Sequence, residues 1–371
     1  MNLKNKKVLV ITTTDNMIWQ FLLPHIKYMQ QQGAVVECAC NKTGFWFDEL
    51  QQKHGLTVHE VNFTRFPFTV KNIKARKQLI KLCKQNNYDL FHCHQPVGAV
   101  MGRMMAKKFK KPCFYIAHGF HFGKDCSWKK NLIFKPVEKH YSKYTTALIT
   151  MNQEDYNAAK TFKAKYVHKI NGIGLDLSKY DNKTPFNRSQ FRKELGLDDT
   201  DFVVLTVAEH IKRKNYPKAL QTIAQVPNVK YLICGCGKLE EEHKKLAQQL
   251  NIADRTIFLG YRKDIDKIMK ASDVFLFTSF QEGLPLSVEE AMVFGLPVVC
   301  STIRGNVDLI DNNKGGFVVD LNSQNGFADA IKTLQQNQQL ITQMGEYNQN
   351  KIKDYSIDKV LKQLEPIYEE I

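Results

Sequence analysis

The sequence contains no run of about 18 uncharged apolar residues, so no segment reads as a membrane-spanning helix. The apolar stretch 8–11, behind Lys4-Asn5-Lys6-Lys7, is also too short for the core of a secretion signal. Cysteine is present without a pattern. The nine cysteines form no Cys-x-x-Cys pair, are odd in number and sit mostly in apolar runs. That argues against a disulfide framework or a zinc ribbon and predicts buried free thiols in a reducing cytoplasm. Internal repeats and low-complexity tracts are absent as well. Acidic side chains are scarce in one half only. Residues 1–180 carry 11 Asp/Glu against 29 Lys/Arg, whereas 181–371 carry 26 against 24, so the whole excess of +16 lies in the first half. A one-sided basic surface predicts an anionic partner. Nucleic acid is not the expected one, because the first half lacks an aromatic-interleaved RNA signature and a recognisable helix-turn-helix.

What is present is a rhythm. Short apolar runs at 8–11, 34–39, 56–61, 90–93, 113–117 and 147–150 read as strands, and 19–32, 70–85 and 98–109 have helical spacing. Residues 175–197 interrupt it with Asp176, Ser178, Asp181, Asn182, Pro185 and Asn187, the residues of turns and linkers. The rhythm resumes with strands at 202–207, 230–234, 256–259, 274–277, 297–300 and 316–319 and helices near 217–225, 239–250, 285–294 and 327–335. A chain of 371 residues accommodates two domains with separate cores. The expected fold class is α/β, with two Rossmann-like, doubly wound parallel-sheet domains facing across a cleft. Their bounds are placed at 1–180 and 181–350, with a helix over 351–371 packing back toward the first.

The chemistry concentrates in Phe277-Thr278-Ser279-Phe280-Gln281-Glu282-Gly283-Leu284-Pro285-Leu286-Ser287-Val288-Glu289-Glu290-Ala291-Met292. A strand ends at Phe277, a loop follows, and Pro285 suits the first helical turn. Backbone amides at Gly283 and Leu284 and in that turn form a site for a diphosphate. Glu282 stands where a carboxylate accepts bonds from sugar hydroxyls, and Glu290, more than one turn into the helix, is suited to ribose hydroxyls. A surface helix with solvated glutamates is the plain alternative.

This segment resembles the E-x7-E signature of retaining glycosyltransferase family 4, with Glu282 and Glu290 as its acids and Gly295-Leu296-Pro297-Val298-Val299 following. Ile233-Cys234-Gly235-Cys236-Gly237 is similar to that family's glycine turn beside the nucleotide, and Phe258-Leu259-Gly260-Tyr261-Arg262 to its base-binding loop. Ile170-Asn171-Gly172-Ile173 resembles the strand end before its linker. The resemblance covers nearly the whole chain and implies the GT-B fold and a UDP-sugar donor. In Glu209-His210-Ile211-Lys212-Arg213-Lys214-Asn215 it puts Lys214 on the donor phosphates. The family's usual upstream arginine is replaced, Glu209 being the nearest aligned residue, so Arg213 is the candidate for the second charge. His118, past a strand end in Ala117-His118-Gly119-Phe120-His121, matches a histidine that contacts the donor sugar. The resemblance thus implies catalytic roles for His118, Glu282 and Lys214, and donor contacts by Arg213, Gly235, Arg262, Gly283, Leu284, Pro285 and Glu290.

On the acceptor side stand Asp15, Asn16, His94 and His121; the loop Thr12-Thr13-Thr14-Asp15-Asn16 departs from the family's Gly-Gly turn. His92 and His94 have the spacing of a metal pair but lack a third ligand. With a lysine and helix amides on the diphosphate, no divalent metal or other cofactor is expected, and no Asp-x-Asp motif is placed to hold one. Lys71, Lys74, Arg76, Lys77, Lys81 and Lys84 share a helical stretch with Ile73, Leu79, Ile80 and Leu82. Lys129, Lys130, Lys135, Lys139 and Lys143 do so with Trp128, Leu132, Ile133 and Phe134. Basic helices of this kind lie on anionic membranes. A core face with a solvated lysine face is the alternative. The expectation is a cytoplasmic, metal-independent hexosyltransferase of capsule or exopolysaccharide synthesis, peripheral on the inner face of the membrane, using a polyprenyl-diphosphate-linked saccharide as acceptor. A sugar-nucleotide epimerase on the same architecture and a non-catalytic sugar-nucleotide-binding protein are the competing readings.

Overall fold

The computed structural model describes residues 3–44, 46–64, 69–180 and 185–370. It divides into two units, one of residues 1–174 with 357–371 and one of residues 175–356. The first holds seven strands, β1 Lys7–Thr14, β2 Val35–Asn41, β3 Thr57–Glu60, β4 Leu90–His94, β5 Cys113–Ala117, β6 Ala147–Thr150 and β7 Tyr166–Lys169. They pair in parallel in the order β3-β2-β1-β4-β5-β6-β7. The second holds β8 Phe202–Val207, β9 Val229–Cys234, β10 Thr256–Gly260, β11 Val274–Phe277, β12 Val298–Ser301 and β13 Gly316–Val319, parallel in the order β10-β9-β8-β11-β12-β13.

Continuous apolar strands form here because both faces of each sheet are covered. Val8 and Val10 join the core on one face of the first sheet, while Leu9 and Ile11 join that on the other. Val203 and Leu205 likewise alternate with Val204 across the second. The last helix, Ile357–Tyr368, buries Val360, Leu364, Ile367 and Tyr368 in the core of the first unit. Those positions repeat at four, three and one residues, one face of a helix.

Three features differ from the sequence expectation. Strand β7 has no apolar run, because at the sheet's edge Tyr166, Val167 and His168 are only half-buried. The interval 175–197 is less loop than expected: Leu177–Lys179 forms a 3-10 turn, and Arg188–Glu194 a helix capped by Asn187. That helix is anchored through buried Arg192, which donates to Asp273 at 2.9 Å and to the carbonyls of Asp199 and Asp201 at 3.0 and 2.9 Å. Asp181 and Asn182 lie outside the described residues. The chain is also already helical over Gln338–Lys351, before the expected terminal helix. All nine cysteines are free thiols, seven of them buried. Among the described residues no helix is long and apolar enough to cross a membrane.

Candidate functional site

The order of the second sheet reverses at β8, which lies between β9 and β11. Ligands of such sheets collect beyond the carboxyl ends of the strands at that point. The loop leaving β8 forms a 3-10 turn, Lys212–Lys214, closed by Asn215 in the left-handed region. The loop leaving β11 carries Glu282. The two are laced together: the Phe280 amide donates to Arg213 O at 2.8 Å, the Thr278 hydroxyl to Asn215 O at 3.0 Å, and the Arg213 guanidinium to Gln281 O at 2.9 Å. This brings Lys214 Nζ to 2.8 Å and Arg213 to 2.5 Å from the same Glu282 oxygen. Glu282 is buried, and the Lys214 ammonium sits 4.7 Å from the centre of the Phe277 ring. Burial lowers the Lys214 pKa, and the Glu282 carboxylate opposes that shift.

Behind this cluster starts the helix Leu286–Val293. Pro285 is its cap residue rather than its first turn, and the Pro285 carbonyl receives the amides of Val288 and Glu289. The amides of Leu286 and Ser287 stand ahead of that ladder, where a helix offers donors to an anion. Leu284, half-buried, packs on the core beside it. Gly283 is backed by the next loop. Gly305 has φ 80, and a Cβ there would meet Gly283 O at 2.5 Å. Buried Arg304 donates to Glu282 O at 3.1 Å. Glu290 lies on the second turn, its Oε1 accepting the Tyr180 hydroxyl at 3.0 Å. Its neighbour Glu289 is buried, which pushes that carboxyl to about 8. A cavity of about 480 Å³ lined by Leu177, Tyr180, Val293 and Lys353 reaches neither Lys214 nor Glu282.

Gly235, at φ 140, leaves no room for a side chain, since a Cβ would fall 1.9 Å from Ala208 O. It thereby packs the loop after β9 against the loop after β8. Arg262 is held by both oxygens of Asp264, at 2.8 and 2.7 Å, so its fork serves the loop after β10. Two Asp-x-Asp triplets do occur. In one, Asp264 carries Arg262; in the other, Asp199 accepts the Ser189 hydroxyl and Asp201 the Asp198 amide. Among the described residues no three His, Cys, Asp or Glu gather as metal ligands.

The first sheet reverses at β1, between β2 and β4. Beyond it Asp15 is fully buried, its carboxylate accepting the Asn16 amide at 2.8 Å and the Thr43 amide at 3.1 Å, together with the Thr43 hydroxyl. Asp15, expected on the acceptor side, thereby ties two loops together. Asn16 is half-buried with an unpartnered Oδ1. Gln95 follows β4 with φ 58 and ψ 154, a region almost confined to glycine that costs about 1–3 kcal/mol. Its side chain accepts the Thr13 amide at 2.8 Å and so compensates. His92, His94 and His118 form a chain: His92 Nδ1 lies 2.9 Å from His94 Nε2, and His94 Nδ1 lies 3.0 Å from His118 Nε2. Their nitrogens face one another rather than converging on a point. Burial pushes His92 and His118 down to about 3 and His94 well below its usual value. His121 stands apart, exposed, with its ring 5.3 Å from Phe134.

Two family models match the chain, glycosyl transferase 4-like over residues 7–152 and glycosyl transferases group 1 over 187–351. The putative glycosyltransferase EpsD of Bacillus subtilis is 30% identical over 373 residues, 98% of this chain and 96% of that protein. The chain is a family 4 glycosyltransferase. The UDP-Gal:alpha-D-GlcNAc-diphosphoundecaprenol alpha-1,3-galactosyltransferase of Escherichia coli is 32% identical, covering 81% of this glycosyltransferase and 80% of that protein. Among solved structures, Anabaena HepE in complex with UDP and glucose superposes with a TM-score of 0.81 at 20% identity, covering 99% and 100% of the two chains. That likeness places the glycosyltransferase in the GT-B fold.

Of the candidate residues, the structure brings Lys214, Arg213, Glu282, Gly283 and the start of the 286–293 helix into one cluster, and His94 and His118 into another. Sequence reasoning missed Arg304, Tyr180, Glu289 and Gln95. Arg304 had a usable signal, since Ser301-Thr302-Ile303-Arg304-Gly305 follows a parallel strand as the Lys214 loop does. Tyr180 had none, lying 110 residues from its partner.

Proposed function

We propose that this transferase moves a hexosyl or N-acetylhexosaminyl group from a UDP-sugar to a polyprenyl-diphosphate-linked saccharide, with retention of configuration, in building a capsular or extracellular polysaccharide. One observation carries the donor half: two cations and one carboxylate share a single oxygen contact in front of a helix N-terminus. As the glycosidic bond breaks, negative charge grows on the departing diphosphate. Lys214, Arg213 and the amides of Leu286 and Ser287 are the groups that stabilise it, leaving Glu282 to accept from sugar hydroxyls. The second Glu290 oxygen has no partner among the described residues and suits a ribose hydroxyl. His118 contributes a hydrogen bond to the transferred sugar. These groups act without a divalent metal. Retention rests on same-face displacement, with the leaving phosphate taking the acceptor proton.

The acceptor half rests on the relatives' names and on surface chemistry. The Escherichia coli relative carries a diphosphoundecaprenol acceptor in its name. In the first unit the helix Trp128–Ser142 exposes Trp128, Leu132 and Ile133 between lysines, and Val70–Gln85 exposes Val70 and Ile73. Such surfaces seat on anionic lipid, consistent with a protein peripheral to the cytoplasmic leaflet. The deciding experiment screens UDP-sugars against undecaprenyl-diphosphate-linked saccharides, reading released UDP and product stereochemistry by NMR. Transfer with the anomer kept is expected. An inverted product sinks the retention, and conversion of a UDP-sugar without acceptor points to an epimerase.

A further inference from the structure

The histidine chain does not end at His92. His92 Nε2 lies 3.1 Å from the hydroxyl of Tyr368, on the last helix, which is buried and stacked 5.5 Å from the ring of Phe114. Four side chains from β4, from the loop after β5 and from the C-terminal helix are thus joined end to end: Tyr368, His92, His94, His118. His92 and His94 are buried and His118 is half-buried, all three rings are held neutral near pH 7 by desolvation, and a neutral imidazole has one N–H and one lone pair. A ring that accepts on one side must therefore donate on the other. All bonds in the chain run the same way, and the direction set at Tyr368 is transmitted to His118. The nearby His25 cannot reverse it, because its Nε2 must donate to the Ile173 carbonyl at 2.6 Å.

A phenol is a good donor and a weak acceptor, its oxygen lone pair being shared with the ring, whereas an imidazole nitrogen is a strong acceptor. The favoured direction starts at the Tyr368 hydroxyl. It gives His92 and His94 protons on Nδ1, and it leaves His118 accepting at Nε2 with its proton on Nδ1. That Nδ1 has no partner among the described residues. We propose that Tyr368, His92 and His94 are positioning residues that hold His118 as the Nδ1–H tautomer, so that it meets the sugar as a hydrogen-bond donor and not as a base. The donor role rests on the transfer reading above; the tautomer itself does not.

The test uses the full chain labelled with ¹⁵N-histidine, reading the ring nitrogens by NMR, beside steady-state transfer. The wild type should show His118 protonated on Nδ1. Tyr368→Phe and His92→Leu should shift His118 toward a tautomer mixture and lower kcat by about tenfold or more, with donor KM within about twofold. His92→Gln, whose amide both accepts and donates, should restore the wild-type tautomer and most of kcat. A wild-type His118 protonated on Nε2, or a His118 unchanged in folded Tyr368→Phe and His92→Leu, overturns the proposal. If no sugar is transferred by any variant, the transfer reading fails and the ring spectra still decide this one.

Discussion

Beyond the strands of the first unit, imidazoles are joined nitrogen to nitrogen, and burial keeps them neutral. Beyond those of the second, a lysine and an arginine converge on one glutamate oxygen. The sheets reverse at equivalent places, so topology is not the difference. What differs is the kind of work available. A neutral chain is ordered by its own directional bonds and presents one group in a defined state. A charged cluster is held by attractions that an anionic ligand can take over, and the donor site we propose uses that exchange to bind a diphosphate.

The largest expected effect probes a charge that the first unit does bury. Arg103 is fully buried, 2.7 Å from Glu138 and 4.4 Å from the Tyr115 ring. Glu138→Ala strands that cation and should cost about 3–5 kcal/mol in urea unfolding. In the second unit, Lys214→Met should lower kcat by about 10²–10³-fold, or about 3–4 kcal/mol, with little change in the melting temperature. Equal losses of stability in the two variants would erase the contrast.

pH should separate the units more gradually. An imidazole whose folded pKa is depressed binds its proton first in the unfolded chain. Its contribution is complete above about 6.5 and is lost as the pH falls. His25, at about 4, with His92 and His118, at about 3, and His94 give the first unit four such groups; His210 and His243 give the second two. Amide exchange should show the first unit losing protection more steeply on acidification. Glu289 acts with the opposite sign. Its folded carboxyl keeps its proton to about 8, whereas the unfolded one ionises from 4.5, so the second unit weakens as pH rises across that interval. Glu289→Gln should flatten that slope. The smallest effect belongs to the exposed helix: Trp128→Ala should leave stability within about 0.5 kcal/mol yet weaken binding to anionic vesicles roughly tenfold. Equal binding of both proteins, or equal binding to neutral vesicles, removes the membrane reading.

Much of this was legible in advance where a signal is local. Strands such as Leu90–His94 and Val274–Phe277 are short apolar runs because both their faces are buried. Glu282 and Gly283 were picked out as candidates because parallel strands deliver loops at their carboxyl ends, and Lys214 through the family resemblance; the structure brings the three together. Edge strand Tyr166–Lys169 gave no signal of its own, because half-buried residues carry no apolar run, and only the resemblance of 170–173 to a strand end pointed to it. The burial of Asp15, the fork of Arg262 onto Asp264 and the bond from Tyr180 to Glu290 depend on neighbours that spacing does not reveal.

The sequence by itself determined two parallel-sheet units, the loops that hold the cations and the acid, and an excess of positive charge confined to the first half. These follow from hydrophobic periodicity, glycine and proline placement and charge counts, all read over a few residues. Only the tertiary structure decided which charges pair, which carboxyl is buried enough to keep its proton, and that Tyr368 stands at the end of a line leading to His118. Hydrogen bonding and desolvation act over a few ångströms in space, and folding brings to that range residues that lie hundreds of positions apart.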